Sequence, residues 1–200
     1  MRFSIAQKDG STLTAFDVHA WGAQLELGSF ATSYIPVGST TAGATRNGDV
    51  ASVSTQAFPY SQSAGSLIVN LASLSSAVTS GNFAVLAAGD SANDRIALSR
   101  TSASQSLFRV ATGGSTQFSL NNTIGSGAVK IGAAFTNGDF ASVADGGAAQ
   151  TTSTGTLPTN IDKLHIGKYP TASGDLNGHI RQITYLPRRI SNTELQTRTA

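Results

Sequence analysis

Carboxylates are the scarcest reactive groups in this 200-residue sequence, which holds 11 Asp and Glu in all and only two glutamates, Glu26 and Glu194. Glycoside hydrolysis needs two carboxyl groups facing each other across a cleft, roughly 5 to 10 Å apart. No stretch carries a Glu-x-Asp-x-x-Glu spacing that would set such acids on one strand face. Glu26 lies in an alternating strand pattern, and Glu194 sits where a helix cap is expected. No catalytic residue is assigned, and the expectation is a protein that is not an enzyme. The three histidines, His19, His165 and His179, fall on separate strand patterns with neither His-x-His nor His-x-x-x-His spacing. A metal or triad role would require them to converge in space. With no cysteine, a thiolate zinc site and a disulfide framework are both excluded.

Two kinds of binding chemistry remain open. Gly89-Asp90-Ser91-Ala92-Asn93-Asp94 offers carboxylate and amide oxygens at close spacing, the hard ligands that calcium prefers, so Asp90 and Asp94 are candidate calcium ligands. Asp139, Asp145 and Asp175-Leu176-Asn177 offer others. The alternative is that these side chains sit in turns to bond their own backbone. Sugar binding needs an aromatic face and groups that bond hydroxyls. Tyr60 beside Pro59 and Tyr169 before Pro170 are the candidate rings, with Tyr34 a third, and Asp90, Asn93, Asp94 and Arg95 are the candidate polar contacts. Trp21 lies on the apolar side of its pattern and is expected in a core or subunit contact. Arg188-Arg189 either meets an acidic partner or serves as a packing surface before a helix.

The elements that would hold these groups are strands. Trp21, Ala23, Leu25 and Leu27 alternate with Gln24 and Glu26, and Leu67, Val69 and Leu71 repeat the pattern. Phe83 and Val85, Ile96 and Leu98, then Val129, Ile131, Ala133 and Phe135 with Lys130 opposite, and finally residues 180–186 extend it. Side chains alternate across a strand, so each run presents one apolar face to a core. Turn signals separate the runs: Lys8-Asp9-Gly10, Asn47-Gly48-Asp49, Thr112-Gly113-Gly114, Asn137-Gly138-Asp139 and Asp145-Gly146-Gly147. Asn137-Gly138 between two apolar runs predicts a hairpin. Pro187 ends the last strand, and Ser191-Asn192-Thr193-Glu194 is a capping box opening a short helix anchored by Leu195. The fold class is therefore all-β, an antiparallel β-sandwich with a short C-terminal helix.

Charge and organisation narrow the partners. Charged residues are 12% of the chain, and the 13 basic residues form no stripe, which argues against nucleic acid. No run approaches the roughly 18 apolar residues of a membrane span, and Met1 to Asp9 lacks a signal peptide's apolar run, so a soluble domain with no membrane insertion is expected. A Gly/Ser/Thr/Ala stretch over residues 37–45 reads as a linker. It separates an N-terminal β arm, residues 1–36, from a body, residues 46–200. The arm holds too few strands to stand alone. Its apolar Phe3, Ile5, Phe16, Val18, Trp21 and Leu25 are candidate assembly residues, through which identical copies would form a homo-oligomer.

Residues 17–36, DVHAWGAQLELGSFATSYIP, resemble a junction common in bacteriophage tail and other virion proteins, where it ends a carbohydrate-binding-module-like jelly roll. Thr45-Arg46-Asn47-Gly48-Asp49-Val50 looks like the entry to the following domain. The body resembles a concanavalin A-like, laminin-G-like sandwich. The hairpin around Asn137-Gly138-Asp139, Lys163-Leu164-His165-Ile166-Gly167-Lys168 and the closing LNGHIRQITYLPRRISNTELQ carry that resemblance. It implies a lectin-type domain on a virion surface or tail, with other virion proteins and cell-surface glycan as partners. Related sandwiches often hold a calcium ion near the rim. A tail fibre or spike module for host attachment and a purely structural capsid decoration or tail connector both fit the resemblance, which identifies no ligand.

Overall fold

The computed structural model describes residues 50–200 except 75–80, 88, 103, 126, 169–175 and 177. The chain divides into two units, Met1–Asn47 and Gly48–Ala200, and every described residue belongs to the second. The expected arm with Phe3, Ile5, Phe16, Val18, Trp21 and Leu25 lies outside the described residues, as do Tyr34, Tyr169 and His19.

The body consists of β1 (Ala51–Ser54), a single 3-10 turn (Thr55–Ala57), β2 (Ala64–Leu74), β3 (Gly81–Ala87), β4 (Arg95–Ser102), β5 (Gln105–Thr112), β6 (Ser115–Thr123), β7 (Val129–Thr136), β8 (Asp139–Ala144), β9 (Gln150–Thr152), β10 (Lys163–Ile166), β11 (Gly178–Leu186) and α1 (Asn192–Thr199). They form two antiparallel sheets, one of six strands in the order β1-β10-β3-β4-β5-β6 and one of five in the order β11-β2-β7-β8-β9. Tight turns set the hairpins. Gly138 at φ +70° closes β7 on β8, and Gly113 and Gly114 at φ +57° and +82° close β5 on β6. Left-handed backbone at these positions costs glycine nothing sterically.

The core lies between the sheets. Leu67, Val69 and Leu71 of β2 and Val129, Ile131, Ala133 and Phe135 of β7 meet Ile96, Leu98, Phe108 and Val110 of the other sheet, as strict alternation predicts. Alternation fails twice, each time at a bulge. A register shift between Asn82 and Ala84 puts Phe83, Ala84 and Leu86 in the core and turns Val85 to the opposite face, so Phe83 and Val85 do not share a face. Shifts in β11 between His179 and Gln182 place Ile180, Ile183 and Tyr185 against the core, while Leu186 faces the helix.

The helix caps the outer side of the five-stranded sheet. Leu195 is fully buried with Ile68, Ala134, Ala141, Val143 and Ile190. It approaches so closely that a Cβ on Gly132 would stand 2.6 Å from Leu195 Cδ1. Ser191 is the N-cap, its hydroxyl accepting from the Glu194 amide at 3.1 Å. The reciprocal half of the expected capping box is replaced: the Glu194 carboxylate takes Arg188 in a two-pronged pair and Arg198 at 2.9 Å.

Candidate functional site

The loop between β3 and β4 holds Asp90, Asn93 and Asp94, and Arg95 opens β4 directly after it. Asp94 accepts the Gly113 amide at 2.8 Å through Oδ1 and the Asn160 side chain at 3.4 Å through Oδ2. The Asn93 carbonyl receives the Gly114 amide, and the Asn93 amide donates to Ser91 Oγ. Arg95 donates through Nη1 to the Ala92 carbonyl at 3.0 Å. Asp90 is exposed, with Lys163 Nζ at 3.2 Å. Gly89 at φ +56° turns the chain, its amide held by Asp162 at 2.6 Å and its carbonyl 2.9 Å from His165 Nε2.

These contacts give the carboxylates proposed for calcium partners within the chain. Both Asp94 oxygens accept donors, and Asp90 faces an ammonium group. Among the described residues no three His, Asp or Glu side chains converge to hold a metal. Asp94 braces neighbouring backbone, as turn chemistry supplies. His165 and His179 lie in different sheets and do not converge.

Tyr60 is not an open ring at the rim. It is half-buried against the core, 5.4 Å from the Tyr185 ring and edge-on to Phe58 at 6.1 Å. Its hydroxyl is buried and has no hydrogen-bond partner among the described residues. Burial, then the neighbouring Tyr185, pushes its pKa well up. Tyr185 is raised by burial too, although its hydroxyl bonds Ser61 and Ala64.

Basic and small polar side chains share the outer face of the six-stranded sheet. Its register aligns Ser52, His165, Val85, Ala97, Arg109 and Ser119 in one row across all six strands. The next row is Ser54, Lys163, Ala87, Arg95, Ala111 and Thr116. Small residues thus separate a basic pair on β10 from Arg95 and Arg109, which are diagonal neighbours on β4 and β5, about 7–8 Å apart at Cβ. Ala92 of the β3–β4 loop packs over Val85, Ala87 and Ala97 and closes that part of the face. The same face also carries Arg95, Ser99, Arg109, Ser119 and Asn121, with the buried Leu107 between Ser99 and Asn121. Not one Asp or Glu occurs in the six strands. Arg109 Nε donates to Ser119 Oγ at 3.3 Å, while its two terminal nitrogens have no partner among the described residues. A guanidinium fork on such a surface matches a carboxylate. Sequence reading reached Arg95 but missed Arg109, Ser119 and Asn121. The available signal was the total lack of acids from Arg95 to Thr123.

Arg188 and Arg189 are tied to the chain itself. Arg188 pairs with Glu194, and Arg189 reaches Asp139, Asn192 and the Ile190 carbonyl, clamping the helix start to β8. The hydrogen bonds from Arg188, then those from Arg198, hold the Glu194 carboxyl below its ordinary pKa.

Two facing antiparallel sheets with an end helix define a jelly-roll sandwich. The chain has the concanavalin A-like, laminin-G-like fold. No protein-family model matches the sequence, and no curated protein matches it. Solved structures do match in fold. The CBM40 of Ruminococcus gnavus IT-sialidase bound to alpha2,3 sialyllactose is 16% identical at a TM-score of 0.57, over 70% of this chain and 83% of that one. A SAP-like pentraxin of Limulus polyphemus is 9% identical at 0.53, over 79% of each chain. The LG1-3 region of the laminin alpha2 chain is 14% identical at 0.53, over 72% of this chain and 31% of that one.

Proposed function

We propose that this protein is a glycan-recognition module that binds a carboxylate-bearing sugar on the outer face of its six-stranded sheet and performs no covalent step. The observation that carries the reading is Arg109, whose terminal nitrogens have no partner among the described residues, beside Arg95 on a sheet whose strands contain no acid. Ser99, Ser119 and Asn121 supply hydroxyl and amide partners for sugar hydroxyls. Among the described residues the face has no phenyl, phenol or indole ring, because Phe83, Phe108 and Phe118 all turn to the core. Recognition therefore rests on charge and hydrogen bonding rather than on stacking. The sialyllactose-bound CBM40 of like fold supports this choice of ligand class. The non-enzymatic reading is supported by Glu194, whose carboxylate is committed to two arginines.

The module's setting is a bacteriophage particle, at a tail fibre or spike, where it meets host-surface glycan. The support is the resemblance of residues 17–36 to a junction of virion proteins. A role as capsid decoration or tail connector without sugar binding is the alternative. Titration of the full chain with alpha2,3-sialyllactose and with lactose separates them. The acidic sugar binds and the neutral one does not, and Arg109→Ala weakens binding about ten- to a hundredfold, the worth of hydrogen bonds to a charged group. Absent binding of both sugars leaves the structural alternative standing, and equal binding of both overturns the choice of a carboxylate-bearing ligand.

A further inference from the structure

A second polar recess lies on the opposite sheet, beside the helix. It is an open groove of about 270 Å³ lined by Ile68, Asn70, Lys130, Gln182, Thr184 and Arg198. Register explains why these six meet. Gln182 pairs with Asn70 and Asn70 with Lys130, so two amides and an ammonium stand side by side across β11, β2 and β7. Thr184 pairs with Ile68 one row along, and Ile68 pairs with Gly132, on which α1 rests. The helix thus ends the groove and contributes Arg198 as a wall. Adjacent strands lie about 4.8 Å apart, which spaces the amides to address neighbouring hydroxyls of one sugar ring.

Three of these side chains are uncommitted. Among the described residues the side chains of Asn70, Gln182 and Thr184 have no hydrogen-bond partner, although Asn70 and Thr184 are half-buried. Their polar atoms remain open to solvent and so to a ligand. The two cations are only partly used. Lys130 Nζ donates to the Ala200 main-chain oxygen, and Arg198 donates through Nε to Glu194. No carboxylate lines the recess.

We infer that this groove is a second binding site, for a single sugar-acid residue, a ring with vicinal hydroxyls and one carboxylate. Ligand pockets usually run about 300–1,000 Å³, so this one takes a monosaccharide and not an extended chain. Asn70, Gln182 and Thr184 bond the hydroxyls, Ile68 forms the apolar floor, and Lys130 and Arg198 receive the carboxylate. The site is independent of the six-stranded face.

The test is a nitrogen-15 chemical-shift titration of the full chain with glucuronate, with glucose as the neutral control. The side-chain amides of Asn70 and Gln182 shift and saturate with glucuronate, and glucose moves them far less. Gln182→Ala and Arg198→Gln, both exposed and compatible with folding, each weaken the response about fivefold or more, while Arg109→Ala leaves it intact. Absent shifts, equal response to glucose, or a response unchanged in both groove variants overturns the inference. Loss of the response in Arg109→Ala overturns it too, by assigning the effect to the other face. Failure of sialyllactose to bind the six-stranded face leaves this readout untouched.

Discussion

The two sheets of this sandwich share one core but treat their outer sides differently. The five-stranded sheet spends the β7–β8 part of its outer face on structure: Gly132 makes room, Leu195 fills it, and the Arg188–Glu194–Arg198 cluster and Arg189 fasten the helix over β7 and β8. Among the described residues the six-stranded sheet has a loop residue, Ala92, over its small-residue trough, and it carries arginine, serine and asparagine on the same face of β4 to β6. A buried leucine on one face and an unfinished guanidinium on the other are different uses of the same pleat. The difference teaches where stability and recognition should separate under mutation.

The sharpest way to break the comparison is Leu195→Ala. It empties a fully buried site under the helix and costs about 2–5 kcal/mol in urea unfolding, yet sialyllactose affinity of the folded protein stays unchanged. Arg109→Ala does the reverse, with a ten- to hundredfold loss of affinity and an unfolding free energy within about 0.5 kcal/mol of the parent. A shared loss in either variant would join what the structure separates. Tyr60→Phe comes next. The parent tyrosine has its pKa raised by burial, so the neutral form favours the fold. That stability is whole below about pH 10, the ordinary tyrosine value, and is lost as pH climbs toward the folded value. Removing the buried, unpartnered hydroxyl raises stability at pH 7 by about 1 kcal/mol and flattens the alkaline fall of the melting temperature. The smallest effect belongs to Glu194→Gln. The carboxylate's pKa is lowered in the fold, so its contribution is present above the ordinary glutamate range and fades as pH falls through the folded value. The variant's melting temperature loses that acid-side dependence.

Much of this architecture was legible because its signals are local. Alternation at residues 129–135, the Asn137-Gly138 turn and the Ser191 cap depend on neighbours within a few positions, and each stands as read. The candidate site was less legible because its parts meet only through register. Arg95 and Arg109 become diagonal neighbours when Ala97 pairs with Arg109, and Phe83 and Val85 part company because of one bulged residue. Tyr60 carried a misleading signal. Pro59-Tyr60 reads as an exposed loop, but Phe58 and Tyr185 close around the ring. Asp90 and Asp94 have the composition of a calcium loop, and only the structure shows their partners, an ammonium group and a backbone amide.

A shift map of the full chain titrated with alpha2,3-sialyllactose bears most directly on the claim that recognition belongs to the six-stranded sheet. The perturbed amides should gather on residues 95–101 and 105–123, centred on Arg109. Perturbations confined to the Asn70–Lys130–Gln182 side, or scattered over both sheets without saturation, would contradict it.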